Sequence, residues 1–390
     1  MSLTVIIPIK DEEKIIKDTL NSFNESWINS IDYEILFIND HCKDDTVNII
    51  KNSKFVGGYE VLNFEKNFKS FVKAKYCVAV GNGTDALEMA VSSLNLKKGS
   101  EIIVPVNTWI STAEAVINSG YKVKFCDINL SDYSINIDDL KKQISKKTKA
   151  VIAVHLYGIP SDVIKIKKIL QKKKIKLIED CAQAHGSKIA SKHVGTFGDL
   201  GTFSFFPGKN LGGIGDGGAV VTNSKKLYEN IMRMRNHGAL GKYDHKFSGR
   251  NSRLDTINAA VLDIKLKKYN HVIKTRNKIA KIYFKGLSKI NEVSLFKLNK
   301  KNTCSFHQFV IRTKKRNQLM SFLTKNNIET MVHYPYMLNE LKFFKNNLKL
   351  KNSNNLGKQI LSLPISEEHT LEEIDFIVEK INFYFKKKDY

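Results

Sequence analysis

The stretch "GTFSFFPGKNLGGIGDGGAVVTN", Gly201–Asn223, places Lys209 between an aromatic apolar run and a turn rich in glycine. Most other lysines of the chain lie in polar runs such as "QKKKIK" and "TKKRN". An amine in this different setting is either a decoration at a helix entry or a reactive group. A reactive lysine needs a bound partner and residues to hold it, so the rest of the chain decides between the two readings.

From Tyr76 onward, short apolar runs alternate with helical patterns: "YCVAV", "EIIVP", "YKVKFCDI", "KAVIAVHLYG", "KLIED", "GTFSFF" and "GAVVTN". That alternation predicts an α/β fold in which helices cover a largely parallel sheet. After "NSRLDTINAAVLDIKLKKYN" the pattern becomes a long helix, a strand candidate "HQFVIR" and a helical tail from Leu371, which predicts a smaller second domain. The expected division is residues 1–50, 51–265 and 266–390.

Three further motifs bear on Lys209. In "VAVGNGTDALEMA" a strand ends at Gly81-Asn82-Gly83-Thr84 and a helix begins near Asp85, leaving backbone N–H groups free to cradle a phosphate. In "VPVNTWISTAEAV" Trp109 follows a strand end, where an indole can stack on a flat ring or simply fill the core. In "KLIEDCAQAHG" an apolar strand delivers Glu179 and Asp180 to its C-terminal end, and a carboxylate at that depth requires a positive or hydrogen-bonding partner. A flat ring with a phosphate arm, a basic nitrogen and an aldehyde satisfies all three motifs and Lys209 together. Pyridoxal 5'-phosphate is such a molecule.

With these motifs in order, the chain resembles the DegT/StrS-type sugar aminotransferases from about Phe55 to the C-terminus. Further markers are "VHLYGIPSD", "RNHG", "GRNSRLDTINAAVL", "HYP" and "ILSLPIS". The resemblance implies the type I (aspartate aminotransferase) fold, with a mostly parallel large domain and a smaller C-terminal α+β domain. It implies that Lys209 holds the cofactor aldehyde, that Asp180 pairs with the ring nitrogen and that Gln183 faces the ring hydroxyl. Trp109 would stack on the ring, and Gly83, Thr84 and Ser204 would hold the phosphate. Asn251 would reach that phosphate from the neighbouring subunit of a homodimer with active sites at the interface. His155 and His185 would stand behind these groups, while His333, Tyr334 and Asn339 would lie toward the substrate. Glutamate is the implied amino donor, and relatives that dehydrate sugars carry histidine where this chain has Lys209.

The implied acceptor is a phosphorylated or nucleotide-linked ketone, with a keto-sugar for surface polysaccharide synthesis as the first expectation. One departure from the family pattern bears on it. Where "HYPxPLH" is usual, this chain reads "HYPYMLN", His333–Asn339, so that a histidine gives way to Asn339. A shorter ketone such as dihydroxyacetone phosphate, giving serinol phosphate, is the alternative that this departure raises.

The opening residues "LTVIIPIKDEEKIIKDTLNSF" and "DYEILFINDHCKDDT" read as strand, helix, strand, with Asn39 and Asp40 at the second strand's end. They resemble the start of GT-A glycosyltransferases. The match stops near Thr46, before any DxD metal segment or acceptor half, which predicts a structural β-α-β extension. A glycosyltransferase, or a non-catalytic binding protein of the aminotransferase fold, is the competing class.

Composition adds bounds. The chain has 390 residues, 42% of them hydrophobic, and a net charge of +24 that suits acidic ligands. Its lysines are dispersed and lack any zinc-finger or RNP-type signature, so no nucleic-acid partner is expected. No apolar run reaches the roughly 18 to 20 residues of a membrane span, and a cytoplasmic protein without membrane association is expected. Five scattered cysteines without a CxxC pair predict reduced thiols and no metal site.

Overall fold

A computed structural model describes residues 57–344, 348 and 350–386, together with the backbone of strands Leu3–Ile9 and Tyr33–Asn39. The seven apolar runs form one seven-stranded sheet. Its order is Tyr76–Val80, Gly218–Thr222, Leu200–Ser204, Lys176–Asp180, Thr148–Val154, Glu101–Pro105 and Lys122–Cys126. Strand Gly218–Thr222 runs antiparallel to both neighbours, and the other pairings are parallel. The two interior strands Leu200–Ser204 and Gly218–Thr222 are buried at every residue, as strands covered on both faces must be.

Parallel strands bring their C-terminal ends to one edge, which is where open α/β sheets bind ligands. Ser204 pairs with Gly218, and Gly218 pairs with Val80, so the phosphate-type turn and the start of the lysine loop meet there. Asp180 reaches the same edge from the next strand.

The two faces of strand Leu200–Ser204 have different tasks, because successive side chains alternate. Phe203, and Phe205 just beyond the strand, turn to helix Tyr59–Val72, where Phe68 meets their rings edge-on at centroid distances of 4.9 and 5.2 Å. Ser204 turns to helix Gly83–Ser93. A Cβ on Gly83 would lie 2.6 Å from the Ser204 Cβ, so only glycine permits this approach.

The loop after Lys209 is fastened by the helix Thr256–Leu287. Asn258 accepts from the Ile214 N–H at 3.0 Å and donates to the Asp216 carbonyl at 2.8 Å, while Lys265 donates to the Gly212 carbonyl at 2.8 Å. This helix is 32 residues long, and the expected boundary at 265/266 falls inside it. Its later turns reach the smaller unit, where buried Arg276 donates to the Phe306 and Ile365 carbonyls at 3.1 and 3.0 Å. That unit holds the three-stranded antiparallel sheet Ser294–Leu295, Phe309–Arg312 and Ile360–Leu363, with helices Arg316–Lys325 and Leu371–Lys386. Buried Asp127 ties the two units, accepting from the Asn352 and Ser353 N–H groups at 2.7 and 3.0 Å.

At the N-terminus, Leu3–Ile9 and Tyr33–Asn39 pair in parallel, as strand, helix, strand requires. The intervening segment, Asp40 and Cys42 lie outside the described residues. Cys77, Cys126, Cys181 and Cys304 are buried and free. Among the described residues no helix is long and apolar enough to cross a membrane.

Phe68 is fully buried in the aromatic cluster that backs Ser204. Phe68→Ala is expected to cost about 3 to 5 kcal/mol, seen as a lower unfolding midpoint in urea. A midpoint unchanged from the parent protein would show that the cluster does not hold this strand.

Candidate active site

Asp180 ends its strand with its side chain buried. One carboxylate oxygen accepts from the Ala182 N–H at 3.1 Å and the other from the Thr112 hydroxyl at 2.9 Å. Thr112 spends its proton on Asp180, so the 2.9 Å contact to Thr108 is donated by Thr108. Burial raises the Asp180 carboxyl above its ordinary pKa, and the Ala182 N–H, the Thr112 hydroxyl and the charge of Lys209 oppose that rise. Lys209 shows the reverse: burial lowers its ammonium pKa, and Asp180 raises it. Two groups from different segments are thus coupled, and the burial of Asp180 is not fully compensated, which leaves a place for a further cation beside it.

The turn that precedes helix Gly83–Ser93 is built to hold an anion. Asn82 caps the helix by accepting from the Asp85 N–H at 2.8 Å, which leaves the Gly83 and Thr84 N–H groups without partners among the described residues. The Ser204 hydroxyl lies against Gly83, and the Thr84 hydroxyl meets Ser111 at 2.9 Å. Bare backbone donors at a helix start, with hydroxyls converging on them, match a phosphate monoester.

Gln183 is buried beside Asp180. Its carbonyl oxygen accepts from the Tyr157 N–H at 2.7 Å and its amide donates to the Tyr334 hydroxyl at 3.1 Å. Trp109 is 57% exposed, so it is no core aromatic; its ring lies 5.4 Å from that of Tyr334. His333 contacts the Ser362 hydroxyl through Nδ1 at 2.9 Å, and burial together with Lys209 lowers its pKa.

The residues behind the site divide. His155 accepts from the Ser161 N–H through Nδ1 at 3.0 Å, so Nε2 carries its proton and donates to Glu179 at 3.1 Å. Glu179 also accepts from the N–H groups of Gly195, Phe197 and Gly198 at 2.8, 2.7 and 2.6 Å, and therefore organises a loop. His185 is buried between Phe203 and Phe205, and neither ring nitrogen forms a hydrogen bond among the described residues. Burial and the charge of Lys209 push its pKa down to about 3, only partly offset by the Ser204 backbone, so the ring is neutral.

One expected site residue lies elsewhere, and another stands on the surface. Asn339 donates to the Leu348 carbonyl at 3.5 Å and lines a 390 Å³ cavity with Met337, Leu350 and Ser353, with no contact to Lys209, Asp180 or Gln183. Asn251 is exposed, while its neighbours are anchored on their own chain. Arg250 pairs with Asp85 at 2.9 Å, and the Ser252 hydroxyl accepts from the Gly81 N–H at 2.9 Å. Sequence reasoning missed Thr112 and Tyr157. The i, i+4 spacing of Thr108 and Thr112 was an available signal for the first, and the second had none.

A sequence profile of the DegT/DnrJ/EryC1/StrS aminotransferase family matches residues 38–382. The chain belongs to this family. Its match begins inside the glycosyltransferase-like fragment, whose resemblance to GT-A glycosyltransferases is unsupported. The chain is 37% identical over 338 residues to the dTDP-3-amino-3,6-dideoxy-alpha-D-galactopyranose transaminase of Aneurinibacillus thermoaerophilus, covering 86% of this chain and 93% of that protein. It superposes on the crystal structure of DesV from S. venezuelae with a TM-score of 0.84 and 31% identity, over 87% and 92% of the two chains. NtdA of Bacillus subtilis, solved with its cofactor PMP bound, gives a TM-score of 0.82 at 29% identity, over 87% and 80%. The protein is a sugar aminotransferase of the expected fold, and pyridoxal 5'-phosphate is its cofactor.

The donor set described above fits that cofactor: an anion cradle at Gly83, Thr84 and Ser204, a carboxylate short of positive charge, and an amine coupled to it. Lys209→Ala is expected to abolish the visible band of the bound cofactor and lower transamination by about a hundredfold or more, measured by spectroscopy and coupled assay. Asp180→Asn is expected to keep the cofactor but lose roughly ten- to hundredfold in rate, matching about 1.5 to 3 kcal/mol for a charge-assisted hydrogen bond. Near-normal rates in either variant would remove that residue from the chemistry.

Proposed function

We propose that this aminotransferase moves an amino group from glutamate to a nucleotide-linked keto-sugar destined for a surface polysaccharide. The observation that carries the reading is the coupling of Lys209 to Asp180 at the sheet edge, next to a helix start with free N–H groups. Bound pyridoxal phosphate supplies an electron sink for the carbon that carries the amine. The Gly83 and Thr84 N–H groups and the Ser204 hydroxyl would hold the phosphate. Asp180, its oxygens aimed by Thr112 and Ala182, would keep the ring nitrogen protonated. Trp109 would stack on the ring. Lys209, whose burial favours the neutral amine, would hold the aldehyde and, when free, would serve as the base and acid that moves the proton.

The nucleotide-linked sugar is favoured by the dTDP-sugar transaminase that resembles this chain, and by the surplus of positive charge. The triose phosphate alternative comes from Asn339 standing where the family pattern has histidine; its amide turns to the Leu348 carbonyl, and the relatives favour the nucleotide-linked sugar.

A cytoplasmic homodimer completes the proposal, with Asn251 of one protomer reaching the other's phosphate. Large apolar side chains stand exposed on the segments that flank the site. They are Phe206 and Ile214 around Lys209, and Leu240 and Tyr243 on the way to Asn251. Exposed apolar surface of this kind marks an interface.

The test converts the bound cofactor to its amine form with glutamate and then adds either a nucleotide-linked keto-sugar or dihydroxyacetone phosphate. Return of the visible band with the keto-sugar is expected. Return with the triose phosphate alone would reject the substrate, and no response to glutamate would reject the donor.

A further inference from the structure

Gln183 takes part in a closed chain of contacts that spans the large and small units. Tyr157 donates through its N–H to the Gln183 carbonyl oxygen at 2.7 Å. Gln183 donates through its amide to the Tyr334 hydroxyl at 3.1 Å. The carbonyl of His333, next in sequence to Tyr334, accepts from the Tyr157 hydroxyl. The circuit returns to the residue where it began.

Its chemistry fixes the orientation of one amide. A backbone N–H can only donate, so the Tyr157 N–H compels the oxygen of Gln183 to face it and turns the NH2 group the other way. Tyr334 takes one of the two N–H bonds. The second has no partner among the described residues. Burial pushes the Tyr334 phenol up to about 12, with the Gln183 bond opposing, so at working pH the hydroxyl accepts as a neutral group and keeps its own proton. Tyr157 is fully buried with a left-handed backbone at φ 60°, a conformation that a bulky residue holds only where its surroundings enforce it. That conformation belongs to the residue whose N–H meets Gln183.

We infer that Tyr157 and Tyr334 are positioning residues for the cofactor ring: together they lock the Gln183 amide so that its free N–H is presented to the ring hydroxyl. This rests on the assignment of Gln183 to that hydroxyl. It moves Tyr334 from the substrate entrance to the support of the cofactor. An N–H donor at the ring oxygen favours the ionised oxygen and lowers the pH at which the bound cofactor loses its proton.

The experiment compares the parent holoenzyme with Tyr334→Phe, Tyr157→Phe, Gln183→Ala and the Tyr334→Phe/Gln183→Ala double variant, each loaded with pyridoxal phosphate. The readouts are the pH titration of the cofactor's visible band and the kcat and KM of the glutamate half-reaction. For Tyr334→Phe, the titration is expected to move to higher pH by roughly half a unit. Its kcat is expected to fall about fivefold, the size of one lost neutral hydrogen bond, with KM nearly unchanged. Tyr157→Phe keeps its N–H contact and should shift the titration in the same direction by less. The double variant should behave as Gln183→Ala alone, because both changes act through one amide.

An unmoved titration in Tyr334→Phe, with only the KM for the ketone raised, would overturn the inference. Losses that add in the double variant would also overturn it. Should Tyr334→Phe fail to fold, an unmoved titration in Tyr157→Phe has the same force. A parent enzyme that binds cofactor and titrates as expected, yet ignores nucleotide-linked keto-sugars, would refute the proposed substrate and leave this inference standing.

Discussion

A carboxylate buried at the end of a parallel strand is the constraint around which this site is arranged. Asp180 is removed from water by the sheet that carries it, and burial alone would drive it to take up a proton. The Ala182 N–H, the Thr112 hydroxyl and the coupled Lys209 each oppose that tendency, and a protonated ring nitrogen would complete the compensation. The same burial presses Lys209 toward its neutral form, the form that attacks a carbonyl. In the proposed roles, one desolvated pocket would therefore prepare an anion for the cofactor and a nucleophile for its aldehyde.

The neighbouring strand shows how five residues serve two purposes. Phe203 enters the aromatic cluster with Phe68, while Ser204, on the opposite face, meets the start of helix Gly83–Ser93. Contact that close requires a residue without a side chain at Gly83, and the resulting bare turn supplies the N–H groups of the cradle. The glycines after Lys209 act likewise. A Cβ on Gly213 would fall 1.9 Å from the Asn258 oxygen, and that side chain holds the loop by its backbone. These positions have φ values open to any residue, so close approach is what demands glycine there.

Long-range contacts then join the two units around the site. The helix Thr256–Leu287 touches the lysine loop through Lys265 and, further on, the segments that flank the smaller sheet through Arg276. Tyr157, Gln183 and Tyr334 close a second connection directly beside the expected ring position. The site is held from both units, and Tyr334 transmits the placement of the small-unit segment to a side chain of the large one.

The sequence by itself determined the strands of the sheet, the candidacy of Lys209 and Asp180, and the glycine turn at Gly83, because each is written in local pattern: apolar runs, a lysine among aromatics, a carboxylate at a strand's end. Those signals depend on neighbours in the chain, and they specify the fold and the cofactor. Sequence alone did not show that strand Gly218–Thr222 runs antiparallel, since an apolar run has no direction until its partners are known. Nor did it show that Asn339 turns to Leu348, that Trp109 stands exposed, or that Tyr157 faces Gln183 across 26 positions of chain. Those facts are settled by which backbone donors and acceptors meet once distant segments pack, and no local pattern encodes such a meeting.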